Sequence, residues 1–296
     1  MRDSSGRLFD RVVLIYNPTN PLGPRTLATT VCQDLHGRLP ALPVAMQPTR
    51  YAAHARELAA AEAETGRPLI VAVSGDGIYN EVVNGIMDVA SNSAVAAVAA
   101  GGNANDHRRS TRRMSLVDAI VRGRERRLDL LQLTVQTGES RWSRYAHSYI
   151  GFGLTPLMAI GLKRDKKGTV KELMSVMRTF TELEPVEIIR ADRHERYDSL
   201  VFANVAKMAK YGLISTGRPD DGQFEVVACP HGARWRIATM ALRAATVGLG
   251  RQPRASRSAF RTTSANPVQV DGEVMPVAAG SEIVIDCLPG ALVTIG

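Results

Sequence analysis

Residues 70–87 read "IVAVSGDGIYNEVVNGIM". A short apolar run enters Ser-Gly-Asp-Gly, and a helical pattern resumes at once. A buried strand leading straight into a helix is the unit of parallel α/β sheets, which bind ligands at the carboxyl ends of their strands. Gly75 and Gly77 can take backbone angles closed to other residues and let a phosphate approach the main chain. The helix beyond them offers free N–H groups and the positive end of its dipole at the same place. Asp76 stands where a magnesium–phosphate group would be handled. Val82 with Ile86 and Val83 with Met87 recur at four-residue spacing on the buried side. Asn80, Glu81 and Asn84 are left on the other side, facing a cleft.

The same grammar extends outward on both sides. "RVVLIYNP" (11–18) is a buried strand ended by Asn-Pro, and residues 25–38 and 51–65 read as helices. "AVAAVAAGGNAND" (94–106) repeats strand, glycines and a polar helix start, and it places Gly101, Gly102, Asn103, Asn105 and Asp106 at the next strand end. Arg108 and Arg109 follow in that helix's first turn. After about residue 127 the pattern changes to apolar–polar alternation around turn residues, as in "RLDLLQLTVQTGESRWSRYAHSYIGFG" (127–153), which is the mark of antiparallel strands. Residues 155–183 and 231–249 read as helices within this second half. The expected fold is an α/β N-terminal domain with a parallel, Rossmann-like sheet over 1–127, to which 286–296 return. A mainly antiparallel β domain follows over 128–285.

Composition bounds the function classes. The 296-residue chain is 45% hydrophobic, enough for a sizeable core, and no apolar run approaches the ~20 residues a membrane span needs. "MRDSSGRLFDR" lacks the apolar stretch of a signal peptide, so a cytoplasmic protein is expected. Three scattered cysteines, Cys32, Cys229 and Cys287, argue against a disulfide framework or zinc site. A net charge of +8 favours anionic partners: nucleotide, nucleic acid or acidic membrane. Aromatic residues at 5% weigh against a reader of single strands by base stacking, and a nucleic-acid binder would leave the motifs without a role.

Taken together, the motifs resemble a known family. "SGDGIYNEVVNG" is similar to the GGDGTxNEVxNG signature of the diacylglycerol kinase catalytic-domain family, whose distant relatives include the NAD kinases. "GGNAND" resembles that family's GTxND, "YNPTNPLG" its NPxSG, "PDDGQFEVV" its DDGxLxVV and "VQVDGE" its DGE, all in the same order. The resemblance implies an ATP-dependent lipid kinase that uses Mg2+ and acts on diacylglycerol or a related lipid, such as a sphingoid base or phosphatidylglycerol. It assigns nucleotide contacts to Asn17, Thr49, Ser74, Gly75, Asp76, Gly77, Ile78, Asn80, Glu81, Gly102, Asn103, Asn105 and Asp106. Glu273 becomes the general base, with Asp271 supporting it. Arg218 and Gln223, through their carbonyls, and Asp221, through its carboxylate, would hold a structural magnesium ion, an oxygen set suited to a hard cation. Read as residues alone, "RPDDGQ" is equally an Asx turn and Asp271-Gly272-Glu273 a hairpin turn.

The chain departs from the family pattern at several places. Ser74 replaces a glycine, Ile78 a threonine, Asn103 a threonine, and His107-Arg108-Arg109 an aromatic-Ala-Arg, while "YGLIST" shortens a glycine cluster. These departures keep two other readings open, a nucleotide-binding regulator without catalysis and a kinase of a small soluble alcohol. As a lipid kinase it would meet its substrate peripherally at an anionic membrane surface, with the arginines at 108, 109, 112 and 113 as candidate contacts. "KRDKKGTVK" (163–171) is a solvated loop or a second lipid contact. No nucleic-acid partner is expected, and a homodimer is compatible with the sequence.

Overall fold

The computed structural model describes residues 8–19, 23–100, 114–154, 184–208, 212–233 and 235–295. The helical readings over 155–183 and at 106–113, the Gly102–Asp106 motif and the basic stretch 163–171 lie outside these residues. The chain forms two compact units, residues 1–128 with 290–296 and residues 129–289.

Unit 1 is built from β1 (Arg11–Tyr16), α1 (Pro24–Arg38), β2 (Val44–Pro48), α2 (His54–Ala63), β3 (Pro68–Ser74), α3 (Asp76–Asp88), β4 (Val95–Ala100) and α4 (Leu116–Arg122). The four strands are parallel, in the order β2-β1-β3-β4, and Thr294 near the C-terminus pairs in parallel with Ala96 of β4. Both faces are covered, which explains strands that are continuously apolar and do not alternate. Val12, Leu14, Leu69, Val71, Val95 and Ala97 pack with Ala28, Val31 and Leu35 of α1 and with α4. Their neighbours Val13, Ile15, Ile70 and Ala72 are equally buried, as are Ala55, Ala59 and Ala63 of α2 and Tyr79, Val82, Val83 and Ile86 of α3. Helices α2 and α3 touch closely at Gly85, where a Cβ would lie 2.2 Å from the Arg56 carbonyl oxygen and 2.9 Å from Ala59 Cβ. The last glycine of the "NEVVNG" stretch is therefore a packing residue.

Unit 2 is antiparallel, as its alternating pattern predicts. Its strands are β5 (Glu125–Thr137, entering from unit 1), β6 (Ser140–Ala146), β7 (Tyr149–Gly153), β8 (Val186–Arg190) and β9 (Arg193–Ala203). They continue with β10 (Lys207–Met208), β11 (Gly212–Leu213), β12 (Phe224–Pro230), β13 (Arg254–Ala255), β14 (Arg257–Thr262), β15 (Asn266–Val270), β16 (Glu273–Val277) and β17 (Glu282–Ile295), which ends in unit 1. The long β9 is the hub. It pairs with β12 along one edge and, along the other, with β8 through its first half and β7 through its second. The core holds Phe152, Phe202, Phe224 and Phe260, with Phe152–Phe260 and Phe202–Phe224 edge to face at 5.6 Å. Among the described residues one helix, α5 (Trp235–Thr246), belongs to this unit.

The close approach at Gly85 gives a direct test. Gly85→Ala keeps helix propensity but forces α2 off α3, and overpacking of this kind costs about 1–3 kcal/mol. A urea unfolding curve of the variant should show a lower midpoint at unchanged slope.

Candidate functional site

In an open parallel sheet of order 2-1-3-4, the direction of winding reverses between β1 and β3, and the loops leaving their carboxyl ends diverge to leave a crevice. Tyr16 is in register with Val73 of β3 and Pro48 of β2, so Asn17, Ser74 and Thr49 leave the same edge side by side. The Thr49 N–H donates to the Tyr16 carbonyl at 2.8 Å and Thr49 is buried. Asn17 Oδ1 accepts from Thr19 N–H at 3.0 Å and from its hydroxyl at 2.8 Å, an Asx turn that bends the chain away from β1. Ser74 is also level with Ala100, the last residue of β4.

Gly75 caps α3 with φ −87° and ψ −172°, an extended conformation open to any residue, and Gly77 does not have a positive φ either. The expectation of special backbone angles is corrected: what the glycines supply is room. A Cβ on Gly77 would meet no atom within 4 Å, so the second position of the helix is bare on that side. The N-cap residue, Gly75, makes no side-chain capping bond. A helix start is an anion site by geometry and dipole together.

The next turn of α3 is a second correction. Asn80 and Asn84 are buried, and Asn84 Nδ2 donates to the Asn80 carbonyl at 2.9 Å and to its Oδ1 at 3.1 Å. Glu81 Oε2 accepts the Ala55 N–H at 3.2 Å and so serves the start of α2. Glu81 thus faces α2, which lies against α3 at Gly85, and Asn80 and Asn84 bond to each other within α3.

The Asp-Gly-Glu motif is a two-residue hairpin between β15 and β16, with Val270 opposite Glu273. Asp271 at φ +47° and Gly272 at φ +93° are both left-handed, the pattern of a type I′ turn. Asp271 is buried, and its carboxylate accepts the N–H groups of His147 at 2.6 Å, Ser148 at 3.0 Å and Tyr149 at 2.9 Å. His147 Nε2 lies 3.3 Å from the same carboxylate. Asp271 thus holds the hairpin onto the β6–β7 junction, while Glu273 is exposed at the start of β16.

Arg218, Asp221 and Gln223 share one turn. Asp221 Oδ1 accepts the Gln223 N–H at 3.2 Å, and Oδ2 lies 3.2 Å from Arg254 Nη1. Arg254 also reaches Glu225 at 3.2 Å, so a guanidinium already supplies the positive charge beside Asp221. The Asp221 carboxylate thus takes part in an Asx turn and an ion pair, on the same turn that carries Arg218 and Gln223. Among the described residues no group of three or more His, Cys, Asp or Glu side chains could hold a metal.

The sequence reading missed three polar residues that build this part of unit 2. Buried Asp129 accepts the Gly222 N–H at 2.6 Å and gives its own N–H to the Pro219 carbonyl at 2.7 Å. Buried Glu225 accepts the Thr216 N–H at 2.9 Å, and buried His147 presents its Nδ1 to the Ser148 hydroxyl at 2.8 Å. The available signal was a carboxylate inside an apolar run, as in "RLDLLQL". Burial pushes the Cys287 thiol up to about 12 and raises that of Cys229, so neither is a nucleophile.

A parallel α/β unit with a bare helix start at its switch point, joined to an antiparallel unit, is the two-domain architecture of diacylglycerol and NAD(H) kinases. The structure superposes on that of a diacylglycerol kinase from Bacillus anthracis strain Sterne with a TM-score of 0.71, at 18% identity over 97% of both chains. It also superposes on yeast NADH kinase complexed with NADH, with a TM-score of 0.57 at 12% identity over 97% of this chain and 82% of that one. Residues 11–133 match the family model of the diacylglycerol kinase catalytic domain. No curated protein matches the sequence.

Asp271→Asn should reveal the turn's dependence on a full carboxylate. An amide can accept at one oxygen only, so donors among His147, Ser148 and Tyr149 would face an NH2 group. Hydrogen bonds to a charged group are worth about 1.5–3 kcal/mol each. We expect a clearly lowered melting temperature by calorimetry, with Asp271→Ala lower still.

Proposed function

We propose that the protein is an ATP-dependent lipid kinase that transfers the γ-phosphoryl group to a hydroxyl of diacylglycerol or a related lipid. The observation that carries this reading is the bare start of α3 at Gly77, within the residues that match the kinase family model. ATP, when bound with Mg2+, supplies the phosphoryl group and the metal's charge. The protein's part is to bind and align. Gly75 and Gly77 admit a phosphate to the helix start, with Asn17 and Thr49 on the same edge, and the motif assigns Ser74, Asp76, Ile78, Gly102, Asn103, Asn105 and Asp106 to the same nucleotide. The motif assigns Asn80 and Glu81 to the nucleotide as well, and Glu81 also orders the start of α2 against α3.

Glu273 is the proposed general base that takes the acceptor's proton as the phosphoryl group moves. Phosphoryl transfer asks little more of a protein than positioning, charge stabilisation and such a base. Its exposure and its place beside a turn pinned by Asp271 support this role: the carboxylate is open to a substrate, and its backbone is rigid. Asp271 then acts through the backbone, as a positioning residue.

Transfer of label from radioactive ATP to a lipid panel in mixed micelles tests the reading. Glu273→Gln keeps size but cannot accept the proton, so turnover should fall by about 10²–10⁴ with nucleotide affinity within a few-fold of wild type. Full activity in that variant would remove Glu273 from the chemistry. Binding of ATP without transfer to any lipid would favour a regulator, and transfer to a soluble alcohol alone would favour a small-molecule kinase.

The nucleotide loop has its own test. Gly77→Val adds bulk where no protein atom stands, so folding should survive while calorimetric ATP binding is lost. Unchanged affinity would refute the phosphate assignment.

A further inference from the structure

Helix α5 of unit 2 has two apolar faces. Ile237, Met240 and Ala244 turn inward, Ile237 against Leu154 and Cys229, and Met240 and Ala244 beside Val201, Ala203, Ile214 and Val227. A surface helix ordinarily shows water a polar face opposite such a stripe. Here Trp235 and Leu242, each 65% exposed, lie on the opposite side with Ala238 and Ala245 at three- and four-residue spacing. Val247, just past the helix, is 76% exposed. Gly248, at φ +82°, ends the helix with its N–H on the Arg243 carbonyl at 2.7 Å, which fixes Val247 at the tip.

Charge selects the occupant of this face. Arg236 and Arg243 are exposed together along one edge of α5, and the Arg236 guanidinium sits 5.9 Å from the centre of the Trp235 ring. Residues 226–270 contain seven arginines and no lysine, aspartate or glutamate, against a net +8 for the whole chain. Arg254 and Arg257 are paired with carboxylates. Among the described residues Arg236, Arg243 and Arg251 make no such pair. A second copy of the same face would set arginine against arginine. A Trp at one end, aliphatic groups beside it and a basic edge without acids are the features of a helix lying in a lipid interface.

We infer that the outer face of α5, with Trp235, Leu242 and Val247 inserted and Arg236 and Arg243 on headgroups, seats unit 2 on an anionic phospholipid bilayer. The choice of a bilayer rests on the lipid-kinase reading, although the binding itself needs neither ATP nor Glu273. It assigns the membrane contact to a part of the chain other than the arginines at 108–113.

The test uses full-length protein carrying Trp142→Phe, so that Trp235 is the only tryptophan. Added phosphatidylglycerol-containing vesicles should shift its emission to the blue and sediment the protein, with both effects reversed by salt. Pure phosphatidylcholine vesicles should do neither. Arg236→Gln with Arg243→Gln should lower the partition coefficient about 25-fold, at about fivefold per neutralised basic group. Leu242→Ser should weaken it independently, and circular dichroism should report native folding for both variants. Unchanged Trp235 emission on anionic vesicles, or equal partition of the double variant, would overturn the inference. So would a dimer in sedimentation velocity that Leu242→Ser dissociates. Glu273→Gln should bind vesicles as wild type does. Vesicle binding without phosphoryl transfer to any lipid would leave this surface standing and the kinase reading fallen. Transfer to a dispersed short-chain diacylglycerol without vesicle binding would do the reverse.

Discussion

A carboxylate taken out of water must be met by donors, and unit 2 meets this demand with backbone amides at the points where its strands turn. Asp271 takes three N–H groups from the β6–β7 junction, Asp129 takes one from the 219–222 turn, and Glu225 takes one from Thr216. Asp198 takes another from Gly232 while holding His231 at 2.7 Å. Each bond joins segments distant in sequence, and each would leave a buried charge if broken, a far larger penalty than the bond's net worth when made. The ladder supplies the sheet, and these acids decide which turn meets which strand. The Asp-Gly-Glu hairpin inherits its fixed position from this rule.

Unit 1 obeys a different constraint. Its strands are buried on both faces, so their own backbone groups are consumed by the parallel ladder and only the helix starts retain uncommitted donors. The reversal of winding between β1 and β3 decides where such a start faces open space. Fold and site are thus one fact in this unit: the room at Gly77 follows from strand order, a short strand-to-helix turn and the absence of a side chain.

Much of this was legible in the sequence because the two halves use different periods. Continuous apolar runs such as "LIVAVS" separate from alternation such as "LQLTVQT" by elementary side-chain geometry, and Gly-Asp-Gly marks where one strand ends. Contacts between elements were not legible. Glu81 lies on the polar side of α3, yet it meets the start of α2, which packs against α3 where Gly85 lacks a side chain. Asp129 and Asp271 look like ordinary turn or strand residues until partners 93 and 124 positions away appear beside them. Asp221 looks like a plain turn residue until Arg254, 33 residues on, appears beside it. In each case the local pattern is sound, and the deciding atom comes from elsewhere.

The basic edge of α5 is made of arginine alone, Arg236 and Arg243. A guanidinium keeps its proton at any acidity in which a protein stays folded, and a lysine ammonium or histidine imidazolium does not share that constancy when pressed against apolar surface. This face cannot be switched by protonation, and what remains to govern it is the composition of whatever lies opposite and the ions between them.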